Sequence, residues 1–414
     1  MKLCASADPI ASGNFVRAAC EFGIEDGFWN HYLPNGQFAL AFDSTERILG
    51  GSICTVRDLV PKSKLLRAAL GAIAIRATAN KDDSLHWMKD EGTRLHMTAI
   101  QQLGKALTFR EKPSLELLSA ARVFSFHEAI YGSDWGNRIT QYKSWRIHNS
   151  GDLALIVSKP PSFYATGPAH RLFVDGRLVQ AICAVLSRKK SVLSEPEWMT
   201  APWRYHKKTS KDYILDVLLE IPSLYQKIDA LNSKDSEADV TLQQLKQTSS
   251  EIMQKLQRWD SKFSIPVSRR ADWQHPDSVT TDEIVNAHIM TQFWAISMIA
   301  HDAYLQVPTN SPDDLDVDLD YCCANIVHCI PLFMHSSTGI FRQHLMPFPA
   351  ARAIFHLSST PSERLNIERA YIASICDSPV FATTRHLLSS INPSIFDDLK
   401  KAHEDVGIPR NGMS

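Results

Sequence analysis

No C-x-x-C pair occurs in the 414 residues, and no apolar run approaches the roughly 18 residues of a membrane-spanning helix. The eight cysteines are scattered, at 4, 20, 54, 183, 322, 323, 329 and 376, a usage that fits a reducing compartment. Charge of one sign is also missing. The formal net charge is −1, so composition gives no support for a phosphate-neutralising face. The short basic clusters Arg188-Lys189-Lys190 and Lys207-Lys208 with Lys211 are expected to be solvated helix ends. The catalytic signatures G-x-S-x-G, the P-loop, G-x-G-x-x-G after a strand and H-E-x-x-H are absent. So are alternating strand runs and any fixed-period repeat. The opening MKLCASADPIASG is cut by Asp8 and Pro9 and does not read as a signal peptide. A soluble intracellular protein of the nucleus or cytoplasm is expected, with no membrane partner.

What is present is helical pitch. In SKLLRAALGAIAIRATA, Leu66, Ala69, Leu70 and Ile73 fall at i, i+3, i+4 and i+7, with Ser63 placed to cap. Leu95, Ala99, Leu103 and Leu107 mark a second stripe. Leu118, Ala121, Phe124, Ile130 and Tyr131 mark a third, ended by Gly132. Helices follow in NRITQYKSWRIHNSGDLALIVS, AHRLFVDGRLVQAICAVLSRKK and SKDYILDVLLEIPSLYQKIDAL, the last expected to bend or restart at Pro222. A more polar helix is expected over 237–259 and a loop over 261–281. The very apolar DEIVNAHIMTQFWAISMIAHDAYL, then LDVDLDYCCANIVHCIPLF and three shorter helices, lead to the C-terminal region. The fold class is all-α, a single large irregular helical domain of about a dozen helices over 63–405, after an irregular segment 1–62 and before a tail 406–414.

Four constellations invite a chemical reading. The acidic run DDLDVDLD at 313–320 alternates, so a helix would scatter its carboxylates, and caps explain it better than a metal. Cys322 and Cys329 lie two turns apart, too far to share an ion, and read as buried thiols. No metal and no cofactor is expected. On the helix 283–305, Phe293, Trp294, Met298 and His301 share a sector. The plainer reading is a core stripe with one satisfied histidine; the sharper one is a pocket wall with one titratable group. Trp135, Trp145 and His148 cluster near another helix junction and either close a corner or stack a ligand. These seven residues are the candidate ligand-binding set. His301 and His148 are the candidate acid–base groups, with Asp302 and Asp152 as orienting partners.

One stretch, LSEPEWMTAPW at 193–203, pairs Trp198 and Trp203 with prolines between two helices. It belongs to an ordered set: LSAARVFSFHEAIYGSDWG, the G-x-x-A-L element Gly151–Leu155, a Gly-Pro turn, LSRKK, the Glu-Pro-Glu-Trp segment, and the D-x-L-x-E-I-P helix 216–222. In that order, over most of 60–400 and most densely from 115 to 232, the chain resembles the regulatory region of fungal zinc-cluster transcription factors. The resemblance implies an architectural role for the tryptophan–proline corner, with proline stiffening it and the indoles burying area. It also implies a regulator tied to a fungal secondary-metabolite pathway. The family's DNA-reading module uses six cysteines, two zinc ions and a basic stretch. Residues 1–60 here hold only Cys4, Cys20 and Cys54, so no direct nucleic-acid binding is expected.

Two functions stay open at this point. The first is a regulator without its own DNA-binding module, acting through a small hydrophobic effector or a related regulator as partner. The second is a repurposed biosynthetic enzyme, a cofactor-free cyclase, pericyclase or isomerase, which needs shape and orientation more than a signature motif. A third alternative places the zinc module upstream of Met1.

Overall fold

The computed structural model describes residues 28–30, 32, 52–79, 86–108, 114–132, 138–233, 241–267, 273, 276–308, 310–312, 315, 317–360, 362–389 and 391–405. Among these residues there are helices and no strand, as the apolar periodicity requires. The helices are α1 (Ser52–Leu59), α2 (Lys64–Ala79), α3 (His86–Thr108), α4 (Leu115–Tyr131), α5 (Arg138–Val157), α6 (Gly167–Ser187), α7 (Pro196–Thr200) and α8 (Ser210–Asn232). They continue with α9 (Leu242–Phe263), α10 (Thr281–Leu305), α11 (Leu319–Met334), α12 (Arg342–Leu345), α13 (Pro347–Ser359), α14 (Asn366–Ile375), α15 (Ala382–Ser389) and α16 (Ile395–Asp405).

Local chemistry sets where the helices start. Ser63 Oγ accepts from Leu66 N, and Ser114 Oγ from Leu117 N. The pairs Thr209/Asp212, Thr241/Gln244 and Thr280/Glu283 form reciprocal capping boxes at α8, α9 and α10. Helices α2 and α3 pack as a pair, as do α4 and α5; α8 lies against α6, α9 and α10; α13 meets α10, α11, α15 and α16. One contiguous apolar core runs from Phe28 to Leu399, with a satellite of Ala72, Ile75, Ala79, Met88 and Leu95 between α2 and α3. No helix of the described residues is long and apolar enough to cross a membrane.

The corner 193–203 folds as two 3-10 turns flanking α7. Its purpose is visible in what its rings touch. Phe173 of α6 stacks on Trp198 and meets Trp203 edge-on, both at 5.7 Å, while Tyr164 stacks on Phe173 at 5.2 Å. Both indoles are buried. Beneath Trp203 lies a buried charge group. Arg177 pairs with Asp216 and lies 3.7 Å from Asp212, and Lys208 Nζ is 2.5 Å from Asp216. Two cations thus face two carboxylates, which makes burying them tolerable.

A second buried network ties α4, α5 and α6. Arg122 Nε donates to one oxygen of Asp152 at 3.1 Å, and Gln180 Nε2 donates to the other at 2.8 Å. Arg122 also donates to the carbonyl of Leu172.

The structure departs from the sequence reading in five places. Residues 1–62 are not wholly irregular: α1 and a 3-10 turn Val60–Lys62 fill their end. Phe28, Trp29 and Tyr32 are buried in the common core. Helix α8 does not restart at Pro222 but continues to Asn232, with Leu218, Leu219, Ile221 and Leu224 buried around the proline. The helix expected at 237–259 begins at Leu242, where Thr241 can cap it, and reaches Phe263. Helix α16, polar apart from Ile395, Phe396 and Leu399, carries too narrow a stripe for its text to stand out. The first basic cluster is the solvated end expected of it, with Arg188 capping α6 and paired to Asp229, and Lys189 and Lys190 exposed; the second departs, since Lys208 pairs with Asp216 and Lys211 is buried, leaving only Lys207 exposed.

Candidate functional site

A cavity of about 590 Å³ opens between α9, the connection Ser264–Val267, α10 and the start of α11. That is the size of an ordinary small-molecule site. Helix α10 supplies Met290, Phe293, Trp294 and Ser297, an i, i+3, i+4, i+7 stripe. Helix α9 supplies Met253, Leu256, Gln257 and Asp260. Phe293 stacks on Trp259 with centroids 4.7 Å apart, and Trp259 is fixed by donating Nε1–H to the carbonyl of Ser210 at 2.7 Å. Met290 sulfur accepts from Ile265 N at 3.5 Å and so holds the connecting segment against α10. The aromatic wall is therefore set by the fold rather than by a ligand.

The polar residues at this cavity are Gln257, Asp260, Ser264, Ser297, Asp318, Tyr321 and Cys322. Asp318 caps α11 by accepting from Tyr321 N at 3.0 Å, and Arg364 pairs with it at 3.0 Å. The hydrogen bond from Tyr321 is the main cause that holds Asp318 below the usual carboxylate range. Burial, reinforced by Asp318 and Asp260, pushes the Cys322 thiol up to about 12. It is therefore a neutral thiol at pH 7, not a nucleophile. Ser297, buried, has a hydroxyl oxygen without a hydrogen-bond partner among the described residues.

The seven candidate residues do not form one site. Phe293 and Trp294 line the 590 Å³ cavity. Met298 turns away into the core and is fully buried. His301 continues the same stripe one turn further, past the cavity's end, and is buried there. Its expected orienting partner, Asp302, pairs instead with Arg352 at 2.8 Å, and both line a cavity of about 440 Å³ walled by α5, α6, α8, α10, α13 and α15. Trp145 lines a third, smaller cavity of about 150 Å³ and meets His386 edge-on at 5.5 Å. Trp135 lies outside the described residues. Asp152 does not orient His148, because both its oxygens are taken by Arg122 and Gln180.

His148 belongs elsewhere, in a group no spacing announced. Its ring lies 6.5 Å from His96 of α3, which stacks on His127 of α4 at 3.9 Å and 12°. Glu128 is the adjacent carboxylate, and ligand atoms of His96, Glu128 and His148 lie within 4.8 Å of one another. The sequence reading sought metal ligands among the aspartates and cysteines and expected none. Three residues from three helices carry no motif, so this set appears only when α3, α4 and α5 pack. Burial pushes His96 down to about 4, helped by His148 and Arg76, and raises Glu128 to about 7.

Some of the cavity residues that sequence reasoning missed come from text taken as polar or loop-like. Met253 and Leu256 line the cavity from α9, on a narrow apolar stripe with Leu245, Ile252 and Trp259 that periodicity alone identifies. Comparison of the chain with protein-family models, with curated proteins and with solved structures gives no match.

Proposed function

We propose that the chain is a receptor for a small hydrophobic molecule, held between α9, α10 and α11, and that it serves as the effector-sensing body of a transcription-regulator-like protein whose DNA contact comes from a partner. The observation that carries the binding half is the 590 Å³ cavity walled by Phe293, Trp294, Met253, Met290 and Leu256. The regulatory half draws on the resemblance of residues 115–232 to the fungal regulators. Three of the cavity's polar groups favour recognition over covalent chemistry: Cys322 is a neutral thiol, Ser297 a buried hydroxyl, and Asp318 is already occupied as cap and ion pair.

The test uses one cavity-filling variant, Ser297→Trp, in the purified chain and in the cell. In vitro, wild-type protein should quench its tryptophan emission on binding apolar compounds extracted from the source cells, and the variant should not, while keeping a cooperative melt. In cells, the variant and the gene deletion should change the same transcripts. A deletion strain that accumulates a precursor with unchanged transcripts would replace this reading with the biosynthetic one.

A further inference from the structure

We propose that His96, Glu128 and His148 bind a divalent transition-metal ion of the zinc class, which fastens α3, α4 and α5 together. This inference is independent of the receptor reading, since none of the three residues lines the 590 Å³ cavity.

Geometry is the first support. One donor atom from each side chain lies within 4.8 Å of the other two. A tetrahedral zinc ion with bonds of about 2.0–2.2 Å spaces its ligands about 3.4 Å apart, so rotamer adjustments of about 1 Å close the set. Two imidazoles and a carboxylate form a familiar zinc donor set, and they leave a fourth position for water.

The second support is the state of the imidazoles. His96 is 2% exposed, and neither of its ring nitrogens has a hydrogen-bond partner among the described residues. Burying an imidazole with both nitrogens unsatisfied is costly, and such groups call for a cause. An ion on one nitrogen supplies one. His127, fully buried and stacked on His96, holds that ring's plane in place. Gly132 contributes from the other side: a Cβ there would meet a carboxylate oxygen of Glu128, so its absence leaves the carboxylate its room.

Arg76 opposes the ion, because its charge acts on His96. Its Nη1 donates to the carbonyl of Lys89 at 3.1 Å, and its guanidinium lies 5.5 Å from the Tyr131 ring. Those contacts hold the cation against α3's backbone, and ionised Glu128 offsets one of the ion's two charges.

The experiment titrates Zn²⁺, and separately Co²⁺, into chelator-treated full-length protein. One equivalent should bind, the melting temperature should rise, and Co²⁺ should develop the visible bands of a tetrahedral nitrogen and oxygen site. His148→Ala and Glu128→Gln should each weaken binding by 10- to 100-fold. His148 is the least buried of the three, so its removal spares the core; circular dichroism and a cooperative melt check this. A His356→Ala control, away from the cluster, should bind as wild type. The proposal is overturned by no stoichiometric binding, by binding unchanged in both ligand variants, or by intense sulfur-to-cobalt charge transfer, which would place the ion on cysteine.

Discussion

The guanidinium of Arg177 lies 4.5 Å from the ring centroid of Trp203, under the corner that joins α6 to α8. Lys208 approaches the same ring at 4.4 Å. Asp212 and Asp216 of α8 neutralise the two cations. The corner is therefore clamped by charge as well as by apolar area.

Removing that arginine should be severe. Arg177→Ala leaves two carboxylates with a single cation in a buried site, and such a loss costs about 3–5 kcal/mol. Urea unfolding of the purified variant should show a midpoint well below wild type. The double change Arg177→Met with Asp216→Leu should recover much of the loss, since it removes charge on both sides. A single variant as stable as wild type would show that the pair contributes little.

Gly176→Ala tests the Arg122 network. A Cβ at Gly176 would meet the Arg122 guanidinium, which Asp152 and the Leu172 carbonyl hold in place. The arginine must shift and lose part of that set, for a cost of about 1–3 kcal/mol. Thermal unfolding measures it, and Arg122→Ala should remove the penalty of the added methyl.

Acid should destabilise the protein well above the carboxylate range. Burial pushes His288 down to about 3 and His386 down to about 4, from 6.5. Both stay neutral in the fold while the unfolded chain takes up protons below about pH 6.5. Their depressed values leave stability intact above that pH and erode it as pH falls toward 4. Each contributes a loss of roughly 2 kcal/mol by pH 5. The urea midpoint should fall between pH 7 and pH 5, and His386→Phe should flatten the fall. A midpoint constant over that range would contradict the neutral buried imidazoles.

The thiols of Cys322 and Cys323 should resist alkylation. Burial pushes Cys322 up to about 12 and raises Cys323 further. At pH 7 the thiolate fraction of Cys322 then lies on the order of a thousand-fold below that of an ordinary cysteine. Mass spectrometry after iodoacetamide treatment should find both unmodified in the native chain and both modified after denaturation. Rapid native modification of Cys322 would mean a more polar cavity than its walls indicate.

Sequence legibility followed burial. Helices with broad apolar stripes, such as α2, α4 and α10, were placed to within a few residues by pitch and caps alone. Helix α16 and the true start of α9 were not, because their stripes are thin and their text polar. At the cavity, Phe293 and Trp294 were found by residue type and helix face. Met298 and His301 lie off this cavity and are buried, as the plainer core-stripe reading has it, because a helix face does not say where a void begins or ends. The cluster of His96, Glu128 and His148 depends on three helices meeting, which no local pattern encodes.

Tyr32 meets Phe341 edge-on at 5.6 Å, and Phe126 stacks on His344 nearby at 4.3 Å. Residues near the amino end thus lie among rings contributed by a segment some 300 positions later. A fragment cut at the start of α2 for laboratory convenience would strip that lid and present a sticky aromatic floor to solvent. Expression work that trims the chain there should expect aggregates in place of a well-behaved core.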